Sequence, residues 1–204
     1  GISSGWNVNL ENAAVVAYGG AASEASFGIN SVYGMVISGG KLISTGAESG
    51  SVSAGVCCGG GAEISAGADV YVYGDSAAVS SGLDASEGLG SISGDSTRAL
   101  FFGGAEPEKV LMTRSADCST PAGGLCAGSL SISGGMVLAG SASGSGGAIL
   151  SSGEVCISGG QVTTISGGED SLFSVAGPNG SLCPGAITVS GGSFNASVAQ
   201  YAAD

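Results

Sequence analysis

The chain is predicted to be all-β: a right-handed parallel β-helix of about seven coils, with three short strands per coil. Three features of the 204 residues lead there. A short signature keeps returning, the apolar residues around it alternate, and glycine is too abundant for helices. Forty-one glycines would each cost a helix about 0.8–1 kcal/mol relative to alanine.

The signature is clearest at Met35-Val36-Ile37-Ser38-Gly39-Gly40-Lys41-Leu42. It returns around Ile64, Ile92, Ile132, Ile157 and Val189, with a degenerate first copy at Leu10. The spacings between these anchors are 27, 27, 28, 40, 25 and 32 residues. A period in this range marks a solenoid or another repeat architecture.

Each anchor lies on an alternating stretch. The position two before it is Val8, Met35, Ala62, Gly90, Leu130, Val155 and Ile187, and the residue after it is Ser in six of seven copies. Period-two alternation predicts a strand with one buried face. The glycines that follow allow positive φ and a sharp turn. A second strand begins five residues past the anchor, at Val15, Leu42, Val137, Val162 and Phe194. In the third copy Val70 comes one place late, and in the fourth Thr97 is expected in the slot. A third segment precedes each anchor at Ile2, Ile29, Val56, Leu83, Leu125, Ile149 and Leu182, usually after a glycine. Three short strands cannot bury an apolar face alone, whereas stacked repeats form continuous parallel sheets around a narrow core. Right-handedness follows the general preference of parallel crossovers.

One domain spans residues 1–204, with an inserted loop at about 101–124 that stretches the fourth repeat. The chain opens at Gly1-Ile2, already inside a repeat, so a longer precursor whose export signal has been removed is expected. Trp6 is expected to cap the open end of the core.

Sixteen acids against four bases, with no histidine, make a nucleic-acid partner a poor match. No membrane span is present. A polar Ser/Gly/Asn surface with few lysines fits an extracellular or cell-surface rod. The six cysteines contain no CxxC pair, so zinc is not expected. Cys57, Cys126 and Cys183 fall about 10 Å apart on alternate coils, beyond the roughly 7 Å a disulfide spans. Cys118 and Cys126 could close a local loop, and theirs is the one pairing left open for a bridge.

Without histidine there is no Ser-His pair, and no cysteine has an obvious base. Paired carboxylates for glycoside hydrolysis could come from Asp84, Glu87 and Asp95, or from Glu106, Glu108 and Asp117 in the insertion. Solvated surface acids are the blander reading of the same residues, which weighs against an enzyme. No cofactor is required; calcium is the ion that the oxygens of Asp84, Glu87 and Asp95 would suit. The outward side of the second strand carries a more informative row: Val16 and Tyr18, Ile43 and Thr45, Tyr71 and Tyr73, Arg98 and Leu100, then Leu138 and Gly140. Tyr18, Tyr71, Tyr73 and Arg98, with Glu106 and Glu108 of the insertion, are the expected ligand contacts. Aromatic rings in a row stack on sugar faces; the insertion or a neighbouring chain could equally cover them. Arg98 is expected over the Tyr71 ring on the adjacent rung.

The pattern G-x-[apolar]-x-Ile-Ser-Gly-Gly-x-Val resembles Gly-rich repeats in surface proteins of Gram-positive gut and soil bacteria. It is also similar to the bacterial carbohydrate-binding right-handed β-helix family related to pectate-lyase folds. The resemblance covers nearly the whole chain outside 101–124. It implies binding of calcium and acidic polysaccharide without catalysis. The basic catalytic residues of the lyases have no counterpart among Lys41, Arg98, Lys109 and Arg114. The function this implies is a non-catalytic, adhesin-like β-helix that binds a polysaccharide or another cell-surface partner. A polysaccharide lyase or glycosidase and a passive stalk are the alternatives.

Overall fold

A computed structural model describes residues 1–75, 77, 79–103, 122–141, 148–151, 154–166, 173–175 and 187–195. The chain is a parallel β-solenoid. Every strand pairing among these residues is parallel, and they contain no helix. About five coils are complete, rather than the seven expected. They are β1 to β3 (Ile2–Ser4, Val8–Glu11, Ala14–Tyr18), β4 to β6 (Ala25–Ser31, Gly34–Ser38, Lys41–Thr45) and β7 to β9 (Val52–Cys58, Gly61–Ser65, Asp69–Tyr73). The fourth is β10 and β11 (Val79–Ile92, Arg98–Gly103), and the fifth is β12 and β13 (Ala122–Ile132, Met136–Ser141). Short strands β14 to β19 extend the same ladders: Ile149–Ser151, Val155–Ile157, Gln161–Ser166, Phe173–Val175, Ile187–Val189 and Ser193–Asn195.

The three strands of a coil fall on two sheets. Third segments and anchor strands share one, because β10 and β12 each run through both; the second strands form the other. The β10–β12 register shifts between Ala85 and Leu89, a bulge that carries the chain around the bend between the two segments.

All seven anchors stand on one ladder, from Leu10 and Ile37 through Ile64, Ile92, Ile132 and Ile157 to Val189. Ile37 to Ile157 are buried, whereas Val189 at the end of the ladder is 47% exposed. Each buried anchor removes a whole branched side chain from water, a gain of about 1.5–3 kcal/mol. Two sequence assignments are corrected. Ala99, not Thr97, pairs with Val70 and Val137 in the second-strand slot. Thr97 is instead a turn residue: its buried hydroxyl donates to the Ser93 carbonyl at 2.7 Å and accepts from Gly67 N–H at 3.1 Å. Phe173, not Leu182, follows Ile149 on the third-segment ladder, and Leu182 lies outside the described residues.

The interior is not wholly apolar. Ser26, Ser53 and Ser80 stack in register and are buried. Their hydroxyls satisfy backbone groups at the corner: Ser26 accepts from Ala47 N–H, Ser53 from Asp75 N–H, and Ser80 donates to the Asp75 carbonyl. The glycine that precedes most third-segment residues has a packing reason. A Cβ on Gly55 would meet Tyr73 N at 2.6 Å and the Ser44 carbonyl oxygen at 2.7 Å. The two sheets press backbone to backbone there.

At the Ser-Gly-Gly turns Gly40, Gly135, Gly160 and Gly192 all take φ between 74° and 81°. The third copy places Ala66 where the second has Gly39, and Ala66 keeps a left-handed φ of 55°.

Candidate functional site

The outward face of the second-strand sheet carries the row singled out in the sequence. Its register places Lys41, Asp69 and Arg98 on one ladder, and Ile43, Tyr71 and Leu100 on the next. Tyr18, Thr45, Tyr73 and Phe102 form the third. The expected pairing of Arg98 with Tyr71 is therefore corrected: Thr97 stays in the turn and Ala99 takes the slot opposite Val70, which sets Arg98 opposite Asp69. The Arg98 Nε lies 3.8 Å from Asp69 Oδ1. It is Lys41 whose Nζ lies over the Tyr71 ring, 5.2 Å from its centroid. A hydrogen bond to Asp69, helped by desolvation, raises the Tyr71 hydroxyl pKa above its ordinary value of 10.0.

Tyr18 is exposed and Tyr73 half-buried. With the small Thr45 on the rung between them, these two rings flank a recess of about 280 Å³ floored by Gly19, Gly46 and Gly74. Burial raises the Tyr73 hydroxyl pKa, with Tyr71 as the lesser cause. Further along, Phe102 points outward yet is buried, packed with Tyr73, Leu100, Leu138 and Ile165. The row is thus open at its Tyr18 end and closed over Phe102.

Of the acids named for calcium or catalysis, Asp84 and Asp95 are the ones whose side chains are described. Asp84 stands on the third-segment ladder between Cys57 and Cys126. Asp95 lies past the end of β10, beside the Gly94 turn. Among the described residues no group of three or more acids or cysteines could hold a metal ion. The Glu87 side chain, and Glu106, Glu108, Asp117, Lys109, Arg114 and Cys118, lie outside the described residues. Of the pair that could close a bridge, Cys118 lies outside the described residues and Cys126 is a free thiol. Its sulfur lies 3.7 Å from Ser81 Oγ. Burial pushes the thiols of Cys58 and Cys126 up to about 12, which leaves little thiolate for nucleophilic chemistry at neutral pH.

Sequence reasoning missed a second aromatic site. Trp6 does not cap the core: it is 75% exposed and stacks on Tyr33, with centroids 5.4 Å apart and planes at 20°. Two contacts set it there. The buried Ser31 hydroxyl lies 2.7 Å from the Trp6 carbonyl oxygen, and Asn7 Oδ1 accepts from Gly34 N–H at 3.0 Å. The signal was present in the chain. Four residues before the anchor stand Trp6 and Tyr33, then glycine in all five later copies: Gly60, Gly88, Gly128, Gly153 and Gly185.

Fold and site define a parallel β-solenoid that presents aromatic rings at its surface. No protein-family model, no curated protein and no solved structure matches the chain.

Proposed function

We propose that this chain is a non-catalytic, adhesin-like β-helix of a bacterial cell surface that binds carbohydrate extracellularly. The observation that supports it most is the recess between Tyr18 and Tyr73. Two rings two rungs apart, about 10 Å, leave room between them for one flat ring, and the spacer Thr45 adds a hydroxyl. The glycine floor lets a ligand approach the backbone closely. An acidic, lysine-poor chain with a Ser- and Gly-rich surface accords with an exposed location outside the cell.

The test is a glycan array probed with the whole chain, with and without calcium. Saturable binding to a defined glycan class supports the reading. Tyr71→Ala/Tyr73→Ala should weaken that binding about tenfold while the fold survives, since neither ring lies in the interior. Release of unsaturated or reducing-end products would replace it with a lyase or glycosidase. Absence of binding under both conditions would leave a passive stalk.

A further inference from the structure

We propose that the corner between third segment and anchor strand holds a second saccharide slot, which takes one neutral pyranose ring between Tyr33 and Leu89. The proposal rests on the carbohydrate reading above and concerns a different face of the solenoid.

Trp6 and Tyr33 occupy successive rungs of this corner, and the next rung places Gly60 where a third ring would stand. One face of Tyr33 is covered by Trp6. The other looks along the axis over Gly60 and Gly61 toward Leu89, two rungs on and displaced by one residue. Tyr33 and Leu89 are each more than half exposed, and both line a groove of about 500 Å³. That volume lies in the range of small-ligand sites. Two rungs span about 10 Å, so a ring midway sits about 5 Å from each wall, within the 4.5–7 Å of favourable stacking. The floor is glycine, and a larger residue at Gly61 would meet Leu89 N at 2.9 Å.

The rim supplies polarity. Glu63 and Ser91 stand side by side on the outward ladder of the anchor strands and line the groove, with Asn7 at its other end. Glu63 is exposed and has no ion pair among the described residues. A carboxylate and a hydroxyl there can accept and donate to ring hydroxyls. The same carboxylate, on a chain of net charge −12, repels a uronate. A neutral sugar therefore fits better than an acidic one.

Trp6 is the only tryptophan, so its emission reports on this corner alone. The whole chain is titrated with cellohexaose, mannohexaose, xylohexaose and hexagalacturonate, followed by Trp6 emission and by calorimetry. At least one neutral hexaose should bind saturably and shift Trp6 emission. Tyr33→Ala and Leu89→Ala should each weaken that binding roughly threefold to tenfold. Hexagalacturonate should bind at least tenfold more weakly, and Glu63→Gln should narrow the gap. If a hexaose binds by calorimetry but Tyr33→Ala has no effect while Tyr18→Ala/Tyr73→Ala abolishes it, this slot is refuted and the carbohydrate reading stands. If no hexaose binds, this slot is refuted, and the carbohydrate reading is decided by the glycan array alone. A Trp6 shift that depends on protein concentration and tracks a dimer in sedimentation would assign the slot to a second copy of the chain instead.

Discussion

Phe102, on the outward side of β11, lays its ring over Gly140, the residue opposite it on β13. A Cβ on Gly140 would stand 2.5 Å from Phe102 Cδ1 and Cε1. Gly140→Ala should therefore destabilise the chain by about 1–3 kcal/mol through overpacking. Urea denaturation of Gly140→Ala, Phe102→Ala and the double variant tests the contact. The double variant should lose less than the two single losses added together; strict additivity would mean that the ring does not lie over Gly140.

Ile132 is fully buried on the anchor ladder between Ile92 and Ile157. Ile132→Asp would place a carboxylate there with no partner, at a cost of several kcal/mol. Its thermal midpoint should fall sharply or the cooperative transition should vanish. An unchanged melt would contradict the interior ladder.

Ala66 holds φ of 55°, in the left-handed region that glycine occupies at the corresponding Gly39. Ala66→Gly removes the Cβ–carbonyl clash and should stabilise the chain, by up to about 1 kcal/mol after the entropy of the extra glycine is offset. The denaturation midpoint should rise. A fall would show that the alanine methyl contributes packing that outweighs its strain.

Tyr71 should ionise above its ordinary value of 10.0, because hydrogen bonding to Asp69 favours the neutral phenol. The folded pKa is raised, so this interaction stabilises fully below pH 10 and is lost as pH rises through the folded value. The difference in phenolate absorbance between the parent chain and Tyr71→Phe isolates this titration. Asp69→Asn should move its midpoint back down, and no movement would remove Asp69 as the cause.

Repetition made the ladders legible in the sequence. A parallel solenoid repeats one local environment on every rung, so residues at equal offset from Ile37, Ile64, Ile92, Ile132 and Ile157 had to share one fate. The same logic was available for Trp6 and Tyr33, whose offset is glycine in every later copy. Trp6 misled because a lone tryptophan near a chain end reads as a cap for apolar core, and alternation alone does not show which corners the backbone turns outward.

Anchors, glycine turns and the all-parallel architecture were determined by the sequence itself, since each follows from period and local backbone preference. Register at the irregular places was decided by tertiary structure. The later slot at Ala99 moved Arg98 from Tyr71 to Asp69, and Lys41, opposite Asp69, lies over the Tyr71 ring. Ala99 displaced Thr97 because the Thr97 hydroxyl is held in the turn by Ser93 and Gly67. The recesses beside Tyr18 and Tyr33 exist only because a small residue falls on the rung between two large ones. That coincidence depends on which residues stack, and stacking is settled by the hydrogen-bonded register of neighbouring coils rather than by any one stretch of chain.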